Sequence, residues 1–212
     1  MKPNIDSALK HRVVPVAVIK RLDDAAPLAE ALLEGGLPII EVTLRTDCAL
    51  DAIRKLRSAY PELIVGAGTV IDTDNLEAAC DAGAGFAVSP GTNATVIERA
   101  LERGLPILPG VITPTEVMRA LDLGCDLLKF FPAESAGGAA MVKALAGPFA
   151  HTGVRFVPTG GINAKLAPDY LALPSVAAIG GSWFVDAKLV AAGDFKAIAR
   201  LTREAVALAG AA

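Results

Sequence analysis

Eight short apolar runs, separated by stretches with helical apolar spacing, constrain this 212-residue chain more than any other feature of its sequence. The runs lie at residues 13–19, 38–42, 64–65, 86–88, 107–108, 127–131, 154–157 and 176–179. Between them, residues 25–33, 49–59, 75–82, 94–101, 114–121, 139–146 and 164–171 repeat apolar side chains at the spacing of a helix with one buried face. Strands alternating with helices pair in parallel, because each crossover returns the chain to the same end of the sheet. Gly35-Gly36, Gly83, Gly104 and Gly124 follow four of the helices, where a residue with positive φ stops the turn. The result is a weak internal repeat of about 22 residues. Eight βα units are the count that closes a barrel. The expected fold is therefore α/β: a (β/α)8 barrel in one domain over residues 1–212, with an additional N-terminal segment. A final helix over 194–209 is expected, with Asp194 as its N-cap. An open, doubly wound sheet is the alternative.

Composition agrees with buried parallel strands. The chain is 53% hydrophobic but only 5% aromatic, which suits helices packed on a sheet covered on both faces. At this length a hydrophobic core suffices without a disulfide or metal staple. The net charge of -3, with both signs interspersed, leaves no basic stripe for nucleic-acid phosphates or a membrane surface. Cys48, Cys80 and Cys125 are odd in number and widely separated, so they read as reduced, part-buried side chains. The first twelve residues are polar and no later segment approaches the ~20 apolar residues of a membrane span, so a soluble cytoplasmic protein is expected.

In a barrel the strand C-termini and the loops after them form the active face. The chemically unusual residues fall there. Lys129 interrupts the run Leu127-Leu128-Lys129-Phe130-Phe131, where a solvated lysine does not belong. A lysine at a strand end most simply snorkels to water. An enclosed amine instead loses hydration of its charged form and becomes available as a neutral nucleophile toward a ketone. Glu41 interrupts Pro38-Ile39-Ile40-Val42, a costly position for a carboxylate without a partner. The second and sixth strands face one another in an eight-stranded barrel and share side-chain layers, so Glu41 and Lys129 are expected in one cavity. A purely structural ion pair is the competing explanation. Arg45 and Thr69 extend the pocket with a guanidinium fork and a hydroxyl suited to a carboxylate. Thr159-Gly160-Gly161 and Gly180-Gly181-Ser182 read as glycine pairs in the loops after strands seven and eight, where this fold often binds phosphate through backbone N–H groups.

A metal-dependent mechanism needs His or carboxylate ligands gathered at one site. The two histidines, His11 and His151, precede strands at the opposite end and read as solvent-facing, so no metal site and no Ser-His-Asp triad is expected. No Walker-type loop or dinucleotide fingerprint precedes a helix, and no cofactor is expected.

Six motifs in order, Glu41-Val42-Thr43-Leu44-Arg45-Thr46, Gly66-Ala67-Gly68-Thr69-Val70, Ser89-Pro90-Gly91, Lys129-Phe130-Phe131-Pro132-Ala133-Glu134, Pro158-Thr159-Gly160-Gly161-Ile162 and Gly180-Gly181-Ser182-Trp183, closely resemble the bacterial 2-keto-3-deoxy-6-phosphogluconate (KDPG) aldolases. The likeness runs from residue 14 to residue 194. It implies a class I aldolase in which Lys129 forms the Schiff base and Glu41 is the acid/base. It assigns Arg45 and Thr69 to the pyruvate carboxylate, and Gly160, Gly161, Gly181 and Ser182, beside Thr159, to the phosphate. Pro90 and Phe131 shape the wall. The implied ligand is a phosphorylated 2-oxo acid, the implied setting the Entner–Doudoroff pathway, and the implied assembly a homotrimer. A sibling aldolase for the galactonate epimer or 4-hydroxy-2-oxoglutarate, a phosphosugar isomerase, and a barrel that binds a phosphosugar acid without turnover are the alternatives.

Overall fold

The computed structural model describes residue 5 and residues 9–210. Among the described residues nine parallel strands form two arcs: β1 Val13–Ala17, β2 Ile39–Thr43, β3 Ile64–Gly68, β4 Ala87–Val88, β5 Ile107–Leu108, β6 Gly110–Val111, β7 Leu127–Phe130, β8 Arg155–Pro158 and β9 Ile179–Gly181. The order is β5-β4-β3-β2-β1-β9 in one arc and β6-β7-β8 in the other. The sequence reads eight strands, and the ninth, β6, follows directly after the fifth run. Pro109 has no N–H to extend the ladder, so it separates β6 from β5, yet the Pro109 carbonyl still accepts the Lys129 N–H at 2.9 Å. The arcs also meet at β8 and β9, through single bridges Phe156↔Val176 and Thr159↔Gly180.

All five residues of β2 and of β3 are buried, as parallel strands covered on both faces should be. The two pair in register from Ile39↔Ile64 to Thr43↔Gly68. Nine α-helices are assigned among the described residues. They are α1 Ala25–Glu34, α2 Ala49–Ala59, α3 Thr73–Asp81, α4 Ala94–Glu102, α5 Pro114–Asp122, α6 Gly138–Ala146, α7 Ala167–Leu171, α8 Ala187–Ala192 and α9 Phe195–Gly210. Helix α2 shows the rule behind them: Ala49, Ala52, Ile53 and Leu56 are buried at the spacing of one stripe. Asp194 caps α9, accepting the Ala197 N–H at 3.0 Å. Gly35 permits close approach to α9, since a Cβ there would lie 2.4 Å from Thr202 Cγ2. Of the additional N-terminal segment, Ile5 and Leu9 are buried in the core, and residues 1–4 and 6–8 lie outside the described residues.

Two readings need correction. The eighth strand is Ile179–Gly181 rather than 176–179, with Val176 reduced to one bridge. Gly180 and Gly181 therefore end a strand instead of forming a loop. Helix α7 begins at Ala167, three residues later than the spacing suggests, because Asn163 spends its backbone carbonyl and side chain on the turn before it. No helix among the described residues is long and apolar enough to cross a membrane.

Candidate active site

One cavity of about 610 Å³ opens at the C-terminal ends of the strands, a size suited to a small-molecule ligand. Its wall contains Glu41, Arg45, Thr69, Pro90, Lys129, Phe131, Thr159, Gly160, Gly161, Gly181 and Ser182, so the fold gathers every candidate site residue named from the sequence.

The centre of the site is a buried ion pair. Lys129 Nζ donates to Glu41 Oε1 at 3.5 Å, with side chains 8% and 4% exposed. Both residues sit mid-strand, in β7 and β2, so two rigid ladders set the separation. The strands belong to different arcs. The amine also lies 5.0 Å from the centroid of the Phe131 ring, within reach of a cation–π contact. Gly68 makes room for the acid: a Cβ there would fall 2.2 Å from Glu41 Oε1. A purely structural pair has no need of open space, whereas this pair lines the cavity.

The remaining side chains fan out from this centre. Arg45, two residues beyond β2, is exposed at the rim, and Thr69, directly after β3, is half-buried. Thr69 has φ 64, a left-handed conformation that costs a β-branched residue about 1–3 kcal/mol. On the other side Thr159 is buried at the end of β8. Gly160 and Gly161 follow with φ 103 and 81, a backbone open to glycine. Gly180 and Gly181 are required by packing, since a Cβ at Gly180 would lie 2.3 Å from Thr159 Oγ1 and one at Gly181 1.8 Å from the Trp183 ring.

Sequence reasoning missed Asp186 and Lys188, which also line the cavity. Asp186 caps α8 and Lys188 lies in its first turn, and these six helical residues are too short a pattern to announce a helix. It also missed Thr43, whose hydroxyl donates to the Ala17 carbonyl at 3.1 Å and ties β2 to β1 beneath the acid. His11 needs a correction: it is half-buried rather than solvent-facing, and burial followed by the nearby Lys10 charge lowers its pKa. His151 is exposed. The three cysteines form no disulfide, and Cys125 is buried, its thiol pKa raised by burial and by Asp126. Among the described residues no three His, Cys, Asp or Glu side chains gather as a metal site.

Comparison with known proteins adds an independent line. A family model described as KDPG and KHG aldolase matches residues 5–201. The KHG/KDPG aldolase of Escherichia coli K12 is 50% identical over 194 residues, covering 92% of this chain and 90% of that protein. Among solved structures, a KDPG aldolase from Legionella pneumophila, with pyruvate captured as a covalent carbinolamine intermediate, superposes with a TM-score of 0.91 at 42% identity. The match covers 96% of this chain and 98% of that one. The 2-keto-3-deoxy-6-phosphogluconate aldolase of Zymomonas mobilis ZM4, solved with 3-phosphoglycerate, gives 0.89 at 45% identity, covering 98% and 97%.

Proposed function

The chain belongs to the KDPG and KHG aldolase family, and on that premise we propose that it cleaves 2-dehydro-3-deoxy-6-phosphogluconate to pyruvate and glyceraldehyde 3-phosphate through a Schiff base on Lys129. It is an aldehyde lyase. The observation that carries the mechanism is the Lys129 amine, buried within 3.5 Å of the Glu41 carboxylate on the wall of an open cavity.

The neutral amine attacks the C2 ketone, and loss of water gives a protonated imine. Glu41, directly or through one water, takes the proton of the C4 hydroxyl. The C3–C4 bond breaks, its electron pair passes into the imine to form an enamine, and the aldehyde leaves. Protonation at C3 and hydrolysis release pyruvate and restore the amine. The imine is itself the electron sink, so no cofactor enters this scheme. Arg45 and Thr69 hold the carboxylate, Pro90 and Phe131 shape the wall, and Gly160, Gly161, Gly181 and Ser182, beside Thr159, hold the phosphate. Both assignments are to anions, and two cations, Arg45 and Lys188, stand on the cavity wall to meet them. Phosphate binding far from the breaking bond keeps the substrate in register for attack.

The test is incubation with pyruvate and borohydride, then peptide mapping of the adduct. Mass added at Lys129 is expected; no adduct, or an adduct elsewhere, overturns the scheme, and a barrel that only binds its ligand would give none. Cleavage rates for the gluconate substrate, its galactonate epimer and 4-hydroxy-2-oxoglutarate then rank the acceptor halves, since all three share the pyruvate half.

The same reading takes the two arcs as one (β/α)8 barrel in a single domain over residues 1–212. The single bridges between β8 and β9 and the continuity of chain through Pro109 support it. It includes cytoplasmic action and a homotrimer, for which sedimentation equilibrium should return about three chain masses. Exposed Ile71, which lies just beyond Thr69 on the same loop, is apolar surface that an assembly would cover.

A further inference from the structure

The loop that follows the reactive lysine and the loop assigned to phosphate are locked together by two residues that do not line the cavity. Glu134 lies five residues after Lys129, and its N–H donates to the Gly160 carbonyl at 3.0 Å. The Ala133 N–H donates to the Thr159 carbonyl at 2.8 Å. The stem of Glu134 fills the space beneath Gly161, where a Cβ would fall 2.7 Å from Glu134 Cβ. Its carboxylate is not part of the cavity wall and accepts a hydrogen bond from the hydroxyl of Tyr170, on α7. Tyr170 is 1% exposed. Burial first, and the Glu134 carboxylate second, raise the Tyr170 pKa, so the phenol stays a donor.

We propose that Glu134 and Tyr170 are positioning residues for anion binding: the pair fixes the Gly160–Gly161 backbone relative to Lys129 and holds a carboxylate away from the incoming phosphate. This rests on the assignment of Gly160 and Gly161 to the phosphate. The electrostatic reason is direct. A carboxylate next to a phosphate site repels the ligand unless a donor holds and partly neutralises it. Removing the phenol hydroxyl frees that charge and loosens the glycine loop, while the amine and its acid keep their strands.

Steady-state kinetics of Tyr170→Phe, Glu134→Gln and Glu134→Ala test the pair, with melting temperature confirming that each variant is folded. Tyr170→Phe should raise KM for the phosphorylated substrate about tenfold, the scale of a lost charge-assisted hydrogen bond, with kcat changed by less than about twofold. KM for 4-hydroxy-2-oxoglutarate and the rate of pyruvate trapping should not move. Glu134→Gln, whose amide oxygen can still accept from Tyr170, should retain tighter phosphate-dependent binding than Glu134→Ala. Titration with inorganic phosphate gives a second readout independent of turnover: Tyr170→Phe should bind it more weakly than the unmodified chain. Equal KM changes for phosphorylated and unphosphorylated substrates, or an unchanged phosphate affinity in folded Tyr170→Phe, overturns the proposal. Failure of the unmodified chain to trap pyruvate would sink the aldolase scheme instead, and leave the phosphate titration to judge the pair.

Discussion

Glu41 has no freedom to drift from the amine, because its strand, the empty place at Gly68 and the Lys129 charge all hold it. A positioned acid/base contributes about 10²–10⁴-fold. Glu41→Gln should therefore lower kcat by about that factor while pyruvate trapping at Lys129 survives in part; equal loss in both assays would refute the separate roles. Thr69 offers a test of opposite sign. Replacing it with glycine relieves the left-handed strain, so Thr69→Gly should raise stability by up to about 1 kcal/mol in denaturant titration. The same change removes the hydroxyl and should weaken pyruvate binding. At this scale much was legible in the sequence. A charge inside an apolar run is visible without coordinates, which is how Lys129 and Glu41 stood out. Asp186, Lys188 and Tyr170 were not visible, because a charged or aromatic residue in an ordinary helix carries no such contrast.

Element boundaries follow from caps wherever the cap is encoded locally. Helix α5 starts with Thr113, whose hydroxyl accepts the Glu116 N–H at 3.3 Å while the Glu116 carboxylate accepts from the Ile112 and Thr113 N–H groups, each at 2.8 Å. Partial burial pushes the Glu116 carboxyl up, but these hydrogen bonds outweigh it and hold the pKa below the ordinary 4.5. A depressed folded pKa means stability that is complete above 4.5 and lost as pH falls through the folded value. Glu116→Gln should accordingly melt below the unmodified chain at neutral pH, and the gap should close in acid. Thr113→Ala should cost about 1 kcal/mol by denaturant titration without altering kinetics. Strand β9 escaped sequence reasoning for a different reason. Its apolar neighbours 176–178 suggested the strand body, while its glycines suggested a turn; their small size is dictated by Thr159 and Trp183, which arrive from elsewhere in the chain.

On the scale of the molecule, the alternation of short runs and helices was enough to anticipate parallel strands, but not the division of the strands into two arcs. That division depends on Pro109 and on how few bonds join β8 to β9, neither of which has a periodic signature. Native-state hydrogen exchange should detect it. The amides of Phe156 and Ala177, at the sparse β8–β9 join, should exchange faster than those shared by β2 and β3, whose pairing is continuous. Uniform protection across both regions would count against a weak join. The acid and the amine are carried by different arcs, β2 in the longer and β7 in the shorter. Any oxo acid that grips both is consequently a clasp on the body that holds it, so occupancy should harden the protein against heat and product departure should unfasten it.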